Sequence, residues 1–192
     1  MKLQTILEST IDAHLQSRGV DPTKTSVIID RQTNRAVFLL YNLSGQLVGY
    51  QQYNPAGSKD NHNDPRMGKY FSYATRESPK TAKLGVWGLQ SLDEMNRFFF
   101  ITEGIFDAVK IHNAGYPAIA VLTNNPLLLR SWLFALQKIT IVVADNDAAG
   151  ASLKKLGTYA YSTPEPYKDL GDMFQPEATR WLQSIIHQRK LS

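Results

Sequence analysis

Two textures of apolar residues divide the chain near Ser91. In the first half, Leu3, Ile6, Leu7, Ile11 and Leu15 recur at helical spacing until Arg18-Gly19. This predicts an opening amphipathic helix, with packing as its simplest role and a glycine at its end. The run SVIIDRQTNRAVFLLYNLSGQLVGYQQY, from Ser26 to Tyr53, is rich in β-branched and aromatic residues and carries turn formers at Asn42 to Gly45. It predicts a small antiparallel sheet. The following NPAGSKDNHNDPRMG crowds out periodic apolar residues with Pro, Gly, Asn and Asp, and so reads as an exposed loop. After Leu92, short continuous apolar runs (RFFFIT, YPAIAVL, KITIVVA) alternate with helical stretches (GIFDAVKIHNAG, PLLLRSWLFALQ, DAAGASLKKLG, PEATRWLQSIIHQRK). Unbroken apolar strands separated by helices predict a parallel sheet covered on both faces. The expected organisation is therefore an α/β domain over 92–192 preceded by a small α+β lobe over 1–91.

Composition narrows the possibilities. With 192 residues, 43% of them apolar, the chain can bury a sizeable core. It contains no Cys, which excludes disulfides, zinc-thiolate sites and thiol nucleophiles and fits a reducing, cytoplasmic setting. The N-terminal stretch lacks the unbroken apolar core of a signal peptide, and no run approaches a membrane span. A formal charge of +4 leans toward polyanionic partners. The three Trp, at 87, 132 and 181, are expected as core or lobe-interface anchors, and the scattered His14, His62, His112 and His187 as structural or solvated groups.

The candidate chemistry lies in the acids. FFFITE ends on Glu103, and TIVVAD ends on Asp145 with Asp147 two positions on. Ligands of open α/β sheets bind at the carboxyl ends of strands, so these acids are expected to converge there. Asp107 follows Glu103 by one helical turn and shares its face. Asp169 and Asp172, in YKDLGDM, follow a further strand expected around Gly157 to Ser162. Crowded carboxylates require protons, basic partners or a divalent cation. An all-oxygen set favours magnesium, with manganese as the alternative, over zinc. Such ions serve phosphoryl transfer. Any one of these acids alone could be an ordinary helix N-cap.

ITEGIFDAVKIHNAGYPAIAVLTNN followed by IVVADNDAAG resembles the Toprim domain, a Rossmann-like fold shared by bacterial primases, topoisomerases, nucleases and recombination-repair proteins. The family's Glu-Gly turn and following Asp fall on Glu103, Gly104 and Asp107, and its Asp-x-Asp on Asp145 and Asp147. The resemblance implies an acid/base or metal-linked role for Glu103 and magnesium ligation by the aspartates. NLSGQLVGY, GKYFSYATRESPKTAK and VWGL resemble the segment that precedes this domain in bacterial and phage DNA primases. YKDLGDM resembles their third acidic motif, which puts Lys168 and Asp169 in register.

The implied activity is primase-type nucleotidyl transfer, with single-stranded DNA as template and nucleoside triphosphates as substrates. Lys69, Arg76, Lys80 and Lys83 are the expected nucleic-acid contacts, with Lys69, Lys83 and Lys168 near the nucleotide, while Tyr70 and Phe71 are expected in the core. Where primases carry an Arg after Gly-aromatic, this chain reads GYQQYN. It also carries neither a Cys-rich zinc module nor an extended helicase-docking region. A minimal primase, or one subunit working with a replicative helicase or a separate zinc-binding subunit, is expected. The alternatives are a Toprim nuclease and an inactive nucleic-acid-binding subunit.

Overall fold

The computed structural model describes residues 10–59, 63–75, 85–122, 126–145 and 148–191, without the side chains of 148 and 149. Helix α1 spans Ile11–Ser17, with Thr10 as its N-cap, and buries Ile11 and Leu15, while Leu3, Ile6 and Leu7 of the expected opening helix lie outside the described residues. Gly19 follows it with φ +76, the left-handed conformation in which a glycine ends a helix without strain. Four antiparallel strands come next in the order β1-β2-β3-β4: β1 (Ile28–Asp30), β2 (Arg35–Tyr41), β3 (Leu47–Tyr53) and β4 (Tyr70–Ala74). The β2–β3 turn is built by Asn42, whose side-chain carbonyl accepts the backbone N–H groups of Ser44 and Gln46.

The second sheet is parallel in the order β6-β5-β7-β8, formed by β5 (Phe98–Thr102), β6 (Ala118–Ala120), β7 (Ile139–Ala144) and β8 (Tyr159–Ser162). Alternating strand residues feed two cores. Phe100, Ile141 and Val143 pack with α2 (Ile105–Asn113) and α5 (Gln175–Gln188), while Phe99, Ile101 and Val142 pack with α3 (Arg130–Ala135) and α4 (Ala148–Leu153). Both faces are thus covered, as continuous apolar strands demand.

The core does not divide where the texture of the sequence does. Ile11, Leu15, Phe38 and Tyr53 of the first lobe belong to the same buried cluster as Phe106, Leu182 and Ile185 of the second. Two backbone bridges stitch the sheets together. Val86 exchanges hydrogen bonds of 2.9 Å with Tyr41 at the end of β2, and Trp87 exchanges bonds of 3.0 Å with Ala120 at the end of β6. Phe106 lies at the junction: its ring is 5.9 Å from Phe38 and 5.0 Å from Tyr53, both edge-on, and the Arg18 guanidinium lies 4.8 Å above it.

Phe106→Ala is expected to destabilise the chain by about 3–5 kcal/mol, because it removes a buried ring and opens a cavity between the lobes. Urea unfolding followed by circular dichroism measures this. A loss below about 1 kcal/mol would mean that the junction contributes little.

Candidate active site

Four of the expected acids come together. Glu103 leaves the end of β5, Asp107 sits in the first turn of α2, Asp145 leaves the end of β7, and Asp169 caps the short 3-10 turn Leu170–Asp172. All four line one cleft of about 310 Å³. Local geometry holds each in place. Gly104 starts α2, and a Cβ there would lie 2.8 Å from a carboxylate oxygen of Asp107, so the glycine leaves room for the acid to turn inward. Asp107 accepts the Gly171 N–H at 2.7 Å, and Asp169 accepts the Asp172 N–H at 3.0 Å. Gly150, in α4, lies so close to the β7 terminus that a Cβ would come within 2.2 Å of the Asp145 carbonyl oxygen. Asp147 lies outside the described residues.

Asp107 is only 8% exposed. Burial first, then the nearby Asp169 and Asp145 carboxylates, pushes its carboxyl up to about 7, against the stabilising Gly171 N–H and the positive charge of Arg18. Among the described residues, no group of three or more His, Cys, Asp or Glu side chains is arranged to hold one ion. The chemistry of the donors nevertheless fits a hard cation. All are carboxylate oxygens, and a divalent ion relieves the crowding that raises Asp107.

The first lobe supplies another wall of the cleft. Arg18, Gln51, Lys59 and Tyr70 all line it. Arg18 forms an ion pair with Asp172 at the rim. Burial pushes the Tyr70 hydroxyl up to about 12 against the pull of Arg18, although the residue as a whole is partly exposed. Tyr70 is therefore a cleft residue rather than a core one. Lys69 and Lys168 do not line the cleft. Lys69 is half-buried and ties the loop together through backbone bonds with Asn54 and Ser58, each 2.9 Å, and Lys168 is exposed. Arg76, Lys80 and Lys83 lie outside the described residues.

Local pattern offers little warning of the first-lobe residues. Arg18 marked only the end of a helix and Lys59 only a loop. One signal was available for Gln51: it shares the inward face of β3 with Tyr53, and a polar residue at such a buried position needs a partner or a ligand. Its amide donates to the Ser72 hydroxyl at 2.9 Å.

No protein-family model matches the chain. A DNA primase of Thermotoga maritima is 31% identical over 186 aligned positions, which cover 88% of this chain and 31% of the relative. The chain thus spans about a third of that protein. The zinc-binding and RNA polymerase domains of Aquifex aeolicus primase superpose with a TM-score of 0.56 at 21% identity, over 93% of this chain and 46% of that one. The RNA polymerase domain of Mycobacterium tuberculosis primase DnaG does so with a TM-score of 0.56 at 20% identity, over 92% of this chain and 62% of that one. The fold is that of a primase catalytic core. In this primase-like fold, the acidic cleft sits at the carboxyl ends of β5 and β7, beside a lobe built on an antiparallel sheet.

A pH dependence follows from Asp107. Its folded value lies above that of an unfolded Asp, so between about pH 4 and 7 the native chain retains a proton that the unfolded chain has released. The contribution of this group to stability is complete below about pH 4 and is lost as pH rises through 7, by roughly 4 kcal/mol. With a chelator present, Asp107→Asn is expected to remove this decline when urea stability is compared from pH 4.5 to 7.5. An unchanged slope would show that Asp107 is ionised throughout.

Proposed function

We propose that the chain is the nucleotidyl-transfer core of a DNA primase, of the Toprim type, which extends short RNA primers on a single-stranded DNA template. The observation that carries this reading is one cleft in which four carboxylates from the parallel-sheet domain meet two cations, Arg18 and Lys59, from the first lobe. Glu103, Asp107, Asp145 and Asp147, with Asp169, would hold magnesium, or manganese in its place. When bound, the metal supplies charge neutralisation and alignment of the attacking and leaving oxygens.

The chain's own residues bind and orient the reactants. Arg18 and Lys59 take up the negative charge of the triphosphate, and a 3′-hydroxyl attacks the α-phosphate as pyrophosphate leaves. The oxygen–phosphorus bond formed replaces the one broken. Holding both reactants in line is the main source of rate in such a transfer. Glu103, at the end of β5 in the same cleft, would receive or relay the hydroxyl proton. Lys69, together with Arg76, Lys80 and Lys83, contacts the phosphates of the template. A replicative helicase or a separate zinc-binding subunit would complete start-site selection in a bacterial cytoplasm. Among the described residues, no helix is long and apolar enough to cross a membrane.

The deciding assay combines the protein with single-stranded DNA, labelled ribonucleotides and magnesium. Short labelled products from an intact template are expected, whereas template degradation would replace this reading with a nuclease. Asp145→Ala is expected to lower synthesis by more than about a hundredfold without unfolding the chain, since it removes preorganised charge at the reacting centre. Normal metal-dependent turnover by this variant would overturn the site. Lys69→Ala is expected to weaken binding to single-stranded DNA and to reduce the slope of log affinity against log salt by about one. Fluorescence anisotropy over a salt series measures both, and an unaltered slope removes Lys69 from the template path.

A further inference from the structure

A second hollow, of about 490 Å³, shares Arg18 with the acidic cleft but is lined by a different set of groups: Ser17, Lys110, Tyr167, Asp172 and Phe174. Lys110 sits in the last turn of α2 and is only 5% exposed. Among the described residues, its ammonium takes part in no ion pair or hydrogen bond. Arg18 pairs with Asp172 through one terminal nitrogen, while its buried Nε has no partner. Burial and then the neighbouring Arg18 charge pull the Lys110 amine down, so the two cations lie within electrostatic reach of each other.

The hollow therefore gathers two cations against one carboxylate, and that carboxylate is already paired. A largely buried lysine beside a second cation, opposed only by the already paired Asp172, favours the approach of an anion. The space exceeds what one small anion fills and falls in the range of sites for small organic ligands. Phe174 is 67% exposed beside it, an apolar ring available to a flat, aromatic group. The Tyr167 hydroxyl is committed to Glu177.

We propose that this hollow is a second ligand site, which takes a nucleoside polyphosphate with its phosphates on Lys110 and Arg18 and its base against Phe174. The hollow shares Arg18 with the acidic cleft but contains none of the four cleft carboxylates, and binding there requires no divalent cation.

The test is calorimetric titration of the full chain with ATP and with tripolyphosphate in excess chelator, a condition under which the acidic cleft repels phosphates. Both ligands are expected to bind. Lys110→Gln should weaken both by about tenfold or more, as expected for the loss of one charge-assisted hydrogen bond. Phe174→Ala should weaken ATP alone, and Asp145→Asn should change neither. Amide chemical shifts of the unmodified chain give a readout independent of any variant: tripolyphosphate should move Ser17, Lys110 and Phe174, and leave Glu103 and Asp145 in place. Absence of binding at millimolar ligand, equal losses in Lys110→Gln and Asp145→Asn, or shifts centred on Glu103 would each overturn the proposal. So would a single-stranded oligonucleotide that moves the Lys110 and Phe174 amides when ATP does not, because the phosphate recognised would then belong to a nucleic-acid backbone.

Discussion

Helix α2 is enclosed along most of its length, with every residue from Ile105 to Ile111 buried, and the electrostatics of the molecule depend on that enclosure. An apolar helix can be surrounded in this way without cost, but α2 also carries Asp107 and Lys110, one helical turn apart. They do not neutralise each other. Asp107 faces the acidic cleft and Lys110 the second hollow. Burial drives the acid up and the amine down, each toward its uncharged form. A cation approaching Asp107, or an anion approaching Lys110, would favour the charged form of that group. One buried element thus offers attraction for cations on one side and for anions on the other.

Much of this arrangement was legible in the sequence. The carboxyl ends of β5 and β7 were visible as apolar runs ending on acids, and the helix that follows Glu103 follows from Gly104 and the periodicity of the next residues. The antiparallel sheet, its Asn42 turn and the two-faced parallel sheet also follow from residue types and their spacing. Partnerships between distant segments were not legible. The Gly171 N–H that satisfies Asp107 lies 64 positions away, and the Arg18–Asp172 pair spans 154. Local pattern carries no information about either.

The same limit explains the basic residues. Lys69, Lys168 and Arg18 are equivalent as charges in a sequence, and only packing separates them. Arg18 follows a helix whose apolar face sinks into the shared core, which carries its guanidinium onto Phe106 and into the cleft. Lys168 is neighbour to a cleft acid yet points to solvent, since Asp169 is turned inward by its capping role in the following 3-10 turn. Gln51 is buried on β3 with its amide bonded to Ser72, and so puts a neutral hydrogen-bonding group into the cleft from the first lobe.

The contact between Gly150 and the Asp145 carbonyl imposes a different kind of constraint. A carboxylate in the cleft can be replaced by another side chain while the backbone stays in place, but any side chain at position 150 strikes the main chain that ends β7. Selection for chemistry and selection for shape therefore act on neighbouring positions with different strength. In a descendant that kept the fold as a scaffold and no longer used the acidic cleft, the acids would drift first and the glycine would persist. The order in which these positions decay across a lineage would record when the cleft fell out of use, separately from when the fold was lost.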